Sequence, residues 1–203
     1  MVAGAMWASA QEKPPADEVA LPGGRVTNYE PITAKQRVNW FTWMTAGPAS
    51  LTGGLVDAGF GTWRDTPKEY GPHWEGFGER YGMRFTGVAT SNAMEAGLGA
   101  LWGEDPRYFR APEEPFKQRV IHVIKWTFVA TGRDGHAAPA YARYMALSGS
   151  NFLSNTWREP SEANTGHALD RIAFGFLGRM ASNTWDEFWP DVSQRVFHRQ
   201  QHP

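Results

Sequence analysis

The stretch "WEGFGERYGMRFTGVATSNAMEAGLGALW", Trp74 to Trp102, decides the fold. Through it Phe77, Tyr81, Phe85, Val88, Asn92, Ala96 and Gly99 return at steps of three and four, the period of one helix face, until the "GEDP" that follows stops it. On its N-terminal side, "TAKQRVNWFTWMTAG" opens with Thr33 and Gln36 at capping-box spacing and ends before Pro48, and Pro48 suits the first turn of a second helix, "PASLTGGLVDAGFGTW". On its C-terminal side, "EPFKQRVIHVIKWTFVATG" places Val120, Ile124 and Phe128 on one face. A fifth helix runs from about Ala138 to Trp157, a sixth from about Asn164 to Phe188, and a short one begins near Asp191 after Pro190. No run alternates with period two. The expected fold is all-α: a single-domain bundle of about six helices with a disordered N-terminal linker.

A chain of 203 residues, 41% of them hydrophobic, suffices for one substantial core, so residues 30–203 are expected to form one helical domain. The formal net charge of −1, with scattered Lys and Arg, argues against a nucleic-acid partner. With no cysteine there is no disulfide framework, thiol nucleophile or thiolate metal site. The first residues, "MVAGAMWASAQEKPPADE", pass from a short apolar run through Ala8-Ser9-Ala10 to polar Gln11, the shape of a signal-peptide cleavage site without a basic n-region. Residues 1–29 thus read as a signal remnant and a Pro/Gly-rich flexible linker, and the chain as exported to the periplasm or cell envelope.

Within the helices, "SNTW" occurs at Ser154–Trp157 and again at Ser182–Trp185. Asn155 follows the face of Tyr141, Met145, Ser148 and Phe152; Asn183 follows Ile172, Phe176 and Met180; Asn92 lies on the apolar face of the central helix. Amides on faces expected to be buried need hydrogen-bond partners, so Asn92, Asn155 and Asn183 read either as a buried polar network between helices or as locally satisfied helix ends. Small residues such as Gly97, Gly99, Gly175 and Gly178 imply close backbone approach, in a soluble core or beside lipid. The uncharged run Val38–Val56 is a poor bilayer span because it contains Pro48, Asn39, Gly53, Gly54 and several hydroxyls. Trp40, Trp43 and Trp63 suit a membrane or partner surface.

"PKEYGPHWEGFGERYGMRF" (67–85), "EAGLGALWGEDPRYFR" (95–110), "FLSNTW" (152–157) and "NTWDEFWPDVSQRVFHR" (183–199) resemble a family of uncharacterised exported (envelope) proteins numerous in Acidobacteria. "EDPRYFR" together with "EFWPD" is the specific combination. The resemblance implies a helical chain with a secretory signal and an envelope address, and no activity.

Candidate chemistry is sparse. His167 and Asp170, three apart on a helix, could orient an imidazole or share a metal, and His73 with Glu75 and Glu79 offers ligand types without an HExxH spacing. "TGRDGHAAP" (131–139) presents Arg133, Asp134 and His136 on one turn. Glu95, among small apolar neighbours, would if buried need Arg84, Arg171, Arg179 or another cation, or take a raised pKa. GxSxG and phosphate-loop motifs are absent, and no cofactor is expected. Two functions follow. The favoured one is a non-catalytic structural or interaction protein of the cell envelope, working with copies of itself, an envelope partner or a membrane surface. The alternative is an exported hydrolase using Glu95, Asp134, His136, His167 or Asp170 in a cleft between helices.

Overall fold

The computed structural model describes residues 19–21 and 24–197, so the signal-like stretch from Met1 to Ala10 lies outside the described residues. The chain is mostly helical, with one small antiparallel sheet. It divides into two compact units where the sequence reading has one domain. The first holds Ile32–Trp102 and Tyr141–Ile172. The second holds Gly103–Ala140, the chain from Ala173 and the described residues before Ile32.

In the first unit α1 (Ala34–Ala46) starts at the capping box: the Thr33 hydroxyl accepts from the Gln36 backbone N–H, and the Gln36 side chain accepts from the Thr33 N–H. The helix α2 (Pro48–Trp63) opens on its proline, and α3 (Trp74–Trp102) has the bounds its periodicity gave. Around α3 pack α1, α2 and α5 (Tyr141–Leu153), and a 3-10 turn, Ser154–Thr156, follows α5. Small side chains make this possible: a Cβ at Gly54 of α2 would stand 2.8 Å from the Tyr81 ring. Between α2 and α3, the Arg80 guanidinium donates to the carbonyls of Thr66, Pro67 and Gly71 at 2.7–2.8 Å, tying down a connection that includes the short 3-10 turn Lys68–Tyr70.

In the second unit α4 (Phe116–Phe128) lies antiparallel to the later part of α6 (Thr165–Phe197): Phe128 stacks on Phe176 at 5.3 Å, and Phe116 meets Phe188 at 5.4 Å. The expected fourth helix stops short, because Val129–Thr131 leave it as strand β1 and pair with β2 (Ala137–Pro139). Gly135, at φ +77°, closes the turn between them, a conformation that costs glycine little. Three-residue strands are too short to show alternation in sequence. The fifth helix accordingly starts at Tyr141 rather than Ala138.

The expected break at Pro190 is also absent, and α6 continues through it. Proline removes one N–H from the helix ladder, but Arg110 and Arg119 donate to the Glu187 carbonyl beside it, so side chains hold the backbone there. Nor does the free linker extend to Tyr29. Ala20 and Val26 are bridged to each other and buried with Phe109 and Trp126 in the core, because Val26 and Arg25 pair with the turn at Gly135 and His136.

Several large apolar side chains on the faces expected to be buried point outward instead. In α4, Val120, Ile124 and Phe128 are exposed, while Arg119, Val123, Trp126 and Thr127 are buried. In α5, Tyr141 and Met145 are exposed, while Ala142, Arg143, Ala146 and Ser150 are buried. Among the described residues the buried apolar set is mostly alanine.

Candidate interaction surface

The residues named for chemistry do not assemble a site. His73, Glu75 and Glu79 are all exposed, and among the described residues no three His, Asp or Glu side chains are grouped to hold a metal ion. His167 and Asp170 approach only to 3.8 Å on the exposed first turns of α6. Asp134 accepts from the backbone N–H of His136, and both side chains are exposed. Glu95 is buried, and Arg143 of α5 at 3.0 Å is the further cation that it meets. Of the tryptophans, Trp40 and Trp43 are half-buried, and Trp63 is 79% exposed.

Each of the three asparagines reaches another segment. The Asn92 amide donates to the Thr45 hydroxyl of α1 at 3.1 Å, and the Asn183 amide to the Thr127 hydroxyl of α4 at 3.4 Å, both in buried surroundings. Asn155, half-buried in the 3-10 turn, accepts from Arg171. Replacing Asn92 or Asn183 with Leu leaves a buried hydroxyl facing an apolar group. A loss of about 1–3 kcal/mol for each is expected in denaturant titrations.

The two motifs most specific to the resemblance, "EDPRYFR" and "EFWPD", meet inside the second unit. From "EDPRYFR", Arg107 binds the carboxylate of Asp105, which is fully buried and also accepts from the Tyr29 hydroxyl. From "EFWPD", Glu187, likewise fully buried, accepts from Arg119 at 2.6 Å, from the Tyr108 hydroxyl at 2.9 Å and from the Ala111 N–H. Asp191 takes Arg110 and Arg119 at 2.8 and 2.6 Å. Desolvation works against ionised Asp191, yet the hydrogen bonds from Arg119 and Arg110 hold its carboxyl below the ordinary value. Burial first, then the Glu187 charge, keeps Tyr108 protonated as the donor. Sequence reasoning missed this network because its halves are separated by 68 to 81 residues. Every strong donor and acceptor in it faces another, which is the chemistry of a structural lock.

His122 sits against Trp126 and Tyr108, with ring centroids 4.2 and 5.6 Å away, and its Nε2 is 2.8 Å from the Phe109 carbonyl oxygen. A carbonyl only accepts, so Nε2 carries the proton and donates. Burial lowers the pKa of this imidazole, against the pull of that hydrogen bond. A histidine whose folded pKa is depressed leaves stability intact above its unfolded value of about 6.5 and costs stability as pH falls through it, because the unfolded chain takes the proton first. Melting temperature should therefore drop between about pH 7 and pH 5, and His122→Gln should flatten that part of the profile.

Large apolar side chains are exposed on the second unit. Along α6, Phe174, Leu177, Ala181, Trp185, Phe188 and Val192 recur at steps of three and four, and residues from Leu177 to Val192 line a shallow groove of about 570 Å³. Trp185 and Trp189 stack at 4.2 Å while 54% and 40% exposed. Beside it the α4 ridge of Phe116, Val120, Ile124 and Phe128 joins the same surface through Phe188 at one end and Phe176 at the other. No helix among the described residues is long and apolar enough to cross a membrane. No family model, characterised protein or solved structure matches the chain.

Proposed function

We propose that this chain is a non-catalytic interaction protein of the bacterial cell envelope, a member of the exported family it resembles, working through the apolar face of α4 and α6. One observation carries the reading: beside a small apolar core of Val26, Phe109 and Trp126 in the second unit, ion pairs, amides and small residues take most of the buried positions, while many large apolar side chains stand outside. Such a surface is expensive in water and signals a partner or a membrane. The buried polar groups supply a fixed scaffold for it. No specific observation favours the hydrolase alternative.

The test is cell fractionation with chemical cross-linking. The mature chain should be found in the periplasmic or membrane fraction in an associated form. Ile124→Asp with Leu177→Asp should release it, and Ala at His73, His136 or His167 should change nothing. A free cytosolic chain, or a hydrolytic activity lost with His136→Ala, would overturn the proposal.

A further inference from the structure

We infer that the occupant of the α4 and α6 face is the surface of an anionic phospholipid bilayer; this rests on the reading of that face as the working surface. The charge pattern is the first support. α4 contains no acidic residue, and the acids nearest its start in sequence, Glu113 and Glu114, precede it. Lys117 is exposed on the same helical face as Ile121, Ile124 and Phe128, and Lys125 is exposed at its flank, over the Trp126 ring at 5.6 Å. The helix's remaining cation, Arg119, is turned inward onto Glu187 and Asp191. On α6 the residues that line the groove, from Leu177 to Val192, carry no charge. A lysine set among apolar side chains snorkels: its stem lies with the acyl region and its ammonium reaches a phosphate.

A second copy fits this pattern less well. A two-fold contact brings the face against itself, and a face with Lys117 and no carboxylate in the stripe would bury the ammonium without an acid. The Trp185 and Trp189 pair suits an interface with one apolar and one wet side. The geometry sets the depth. With 13 residues, α4 is roughly 20 Å long, below the ~30 Å of a hydrocarbon core, and no helix among the described residues is long and apolar enough to cross one, which suits contact at the headgroups rather than a span.

The experiment is co-sedimentation of the purified full chain with vesicles of phosphatidylcholine alone and of phosphatidylcholine mixed with phosphatidylglycerol, with light scattering of the chain by itself. Binding should favour the anionic vesicles at least tenfold and weaken as salt is raised. Lys117→Glu with Lys125→Glu should remove that preference, and Ile124→Asp with Leu177→Asp should remove binding altogether. Circular dichroism should stay unchanged in both variants, since all four positions are exposed. Equal binding to both vesicle types, or binding insensitive to the lysine changes, overturns the inference. No vesicle binding, but a dimer that Ile124→Asp with Leu177→Asp dissolves, also overturns it while leaving the proposed function standing. Neither vesicle binding nor association of any kind overturns both.

Discussion

Glu187→Leu should destabilise the chain by about 3–5 kcal/mol, the usual cost of removing one member of a buried ion pair. For a protein of this size that is a fall of roughly 10 °C in melting temperature. The cause is local and countable. Arg119, only 9% exposed, loses its 2.6 Å carboxylate partner, the Tyr108 hydroxyl loses its acceptor, and the Ala111 N–H loses another. Glu187→Gln keeps an oxygen for Tyr108 and leaves Arg119 its bond to Asp191, so it should cost less than half as much. Adding Arg119→Met to Glu187→Leu should recover part of the loss, because an apolar pair of similar volume does not strand a charge. Thermal melts followed by circular dichroism on the three variants check this order. A Glu187→Leu protein as stable as the parent would show that the network contributes no fold stability.

Glu95→Leu is expected to be comparably damaging in the first unit, at about 3–5 kcal/mol. Glu95 and Arg143 are 4% and 3% exposed and bridge α3 to α5, the helix pair at the centre of that unit. Removing the carboxylate confronts a buried guanidinium with a leucine. In the double variant Glu95→Leu with Arg143→Met, most of the stability should return, and a double-mutant cycle gives the coupling. A coupling energy near zero would mean that the 3.0 Å pair does not act as a unit.

The elements that sequence described well are those whose signals are local. A capping box fixed the start of α1, a proline the start of α2, and a long three-and-four period both ends of α3. The elements it missed depend on distant partners. Strand β1 exists because Val129–Thr131 find Ala137–Pro139, α6 runs through Pro190 where two arginines from far upstream hold the neighbouring Glu187 carbonyl, and Ala20 is buried by Phe109 and Trp126. The same limit applies to ion pairs: Glu95 visibly required a cation, but nothing near it in sequence singles out Arg143, 48 residues on.

The apolar face exposed a different kind of error. The spacing of Val120, Ile124 and Phe128, and of Tyr141 and Met145, was legible, and so was its meaning as one face. Periodicity does not say which face turns inward. That choice rests on the assumption that apolar side chains bury, and here Arg119, Arg143 and Glu187 claim the inner positions because each meets an opposite charge there. The motifs "EDPRYFR" and "EFWPD" fit the same account, since their charged residues build the interior of the second unit while Trp185 and Trp189 stay outside.

The measurement that bears most directly on this arrangement is the stability of a chain whose outward face has been made polar: Phe116→Ser, Ile124→Asp, Leu177→Asp and Val192→Ser together, melted in the absence of vesicles or partners. If these side chains serve an outside partner, the variant melts within about 1 kcal/mol of the parent and no longer associates, since surface changes of this kind stay within a few tenths each. A variant that unfolds would contradict the account, because it would make those residues part of the chain's own core.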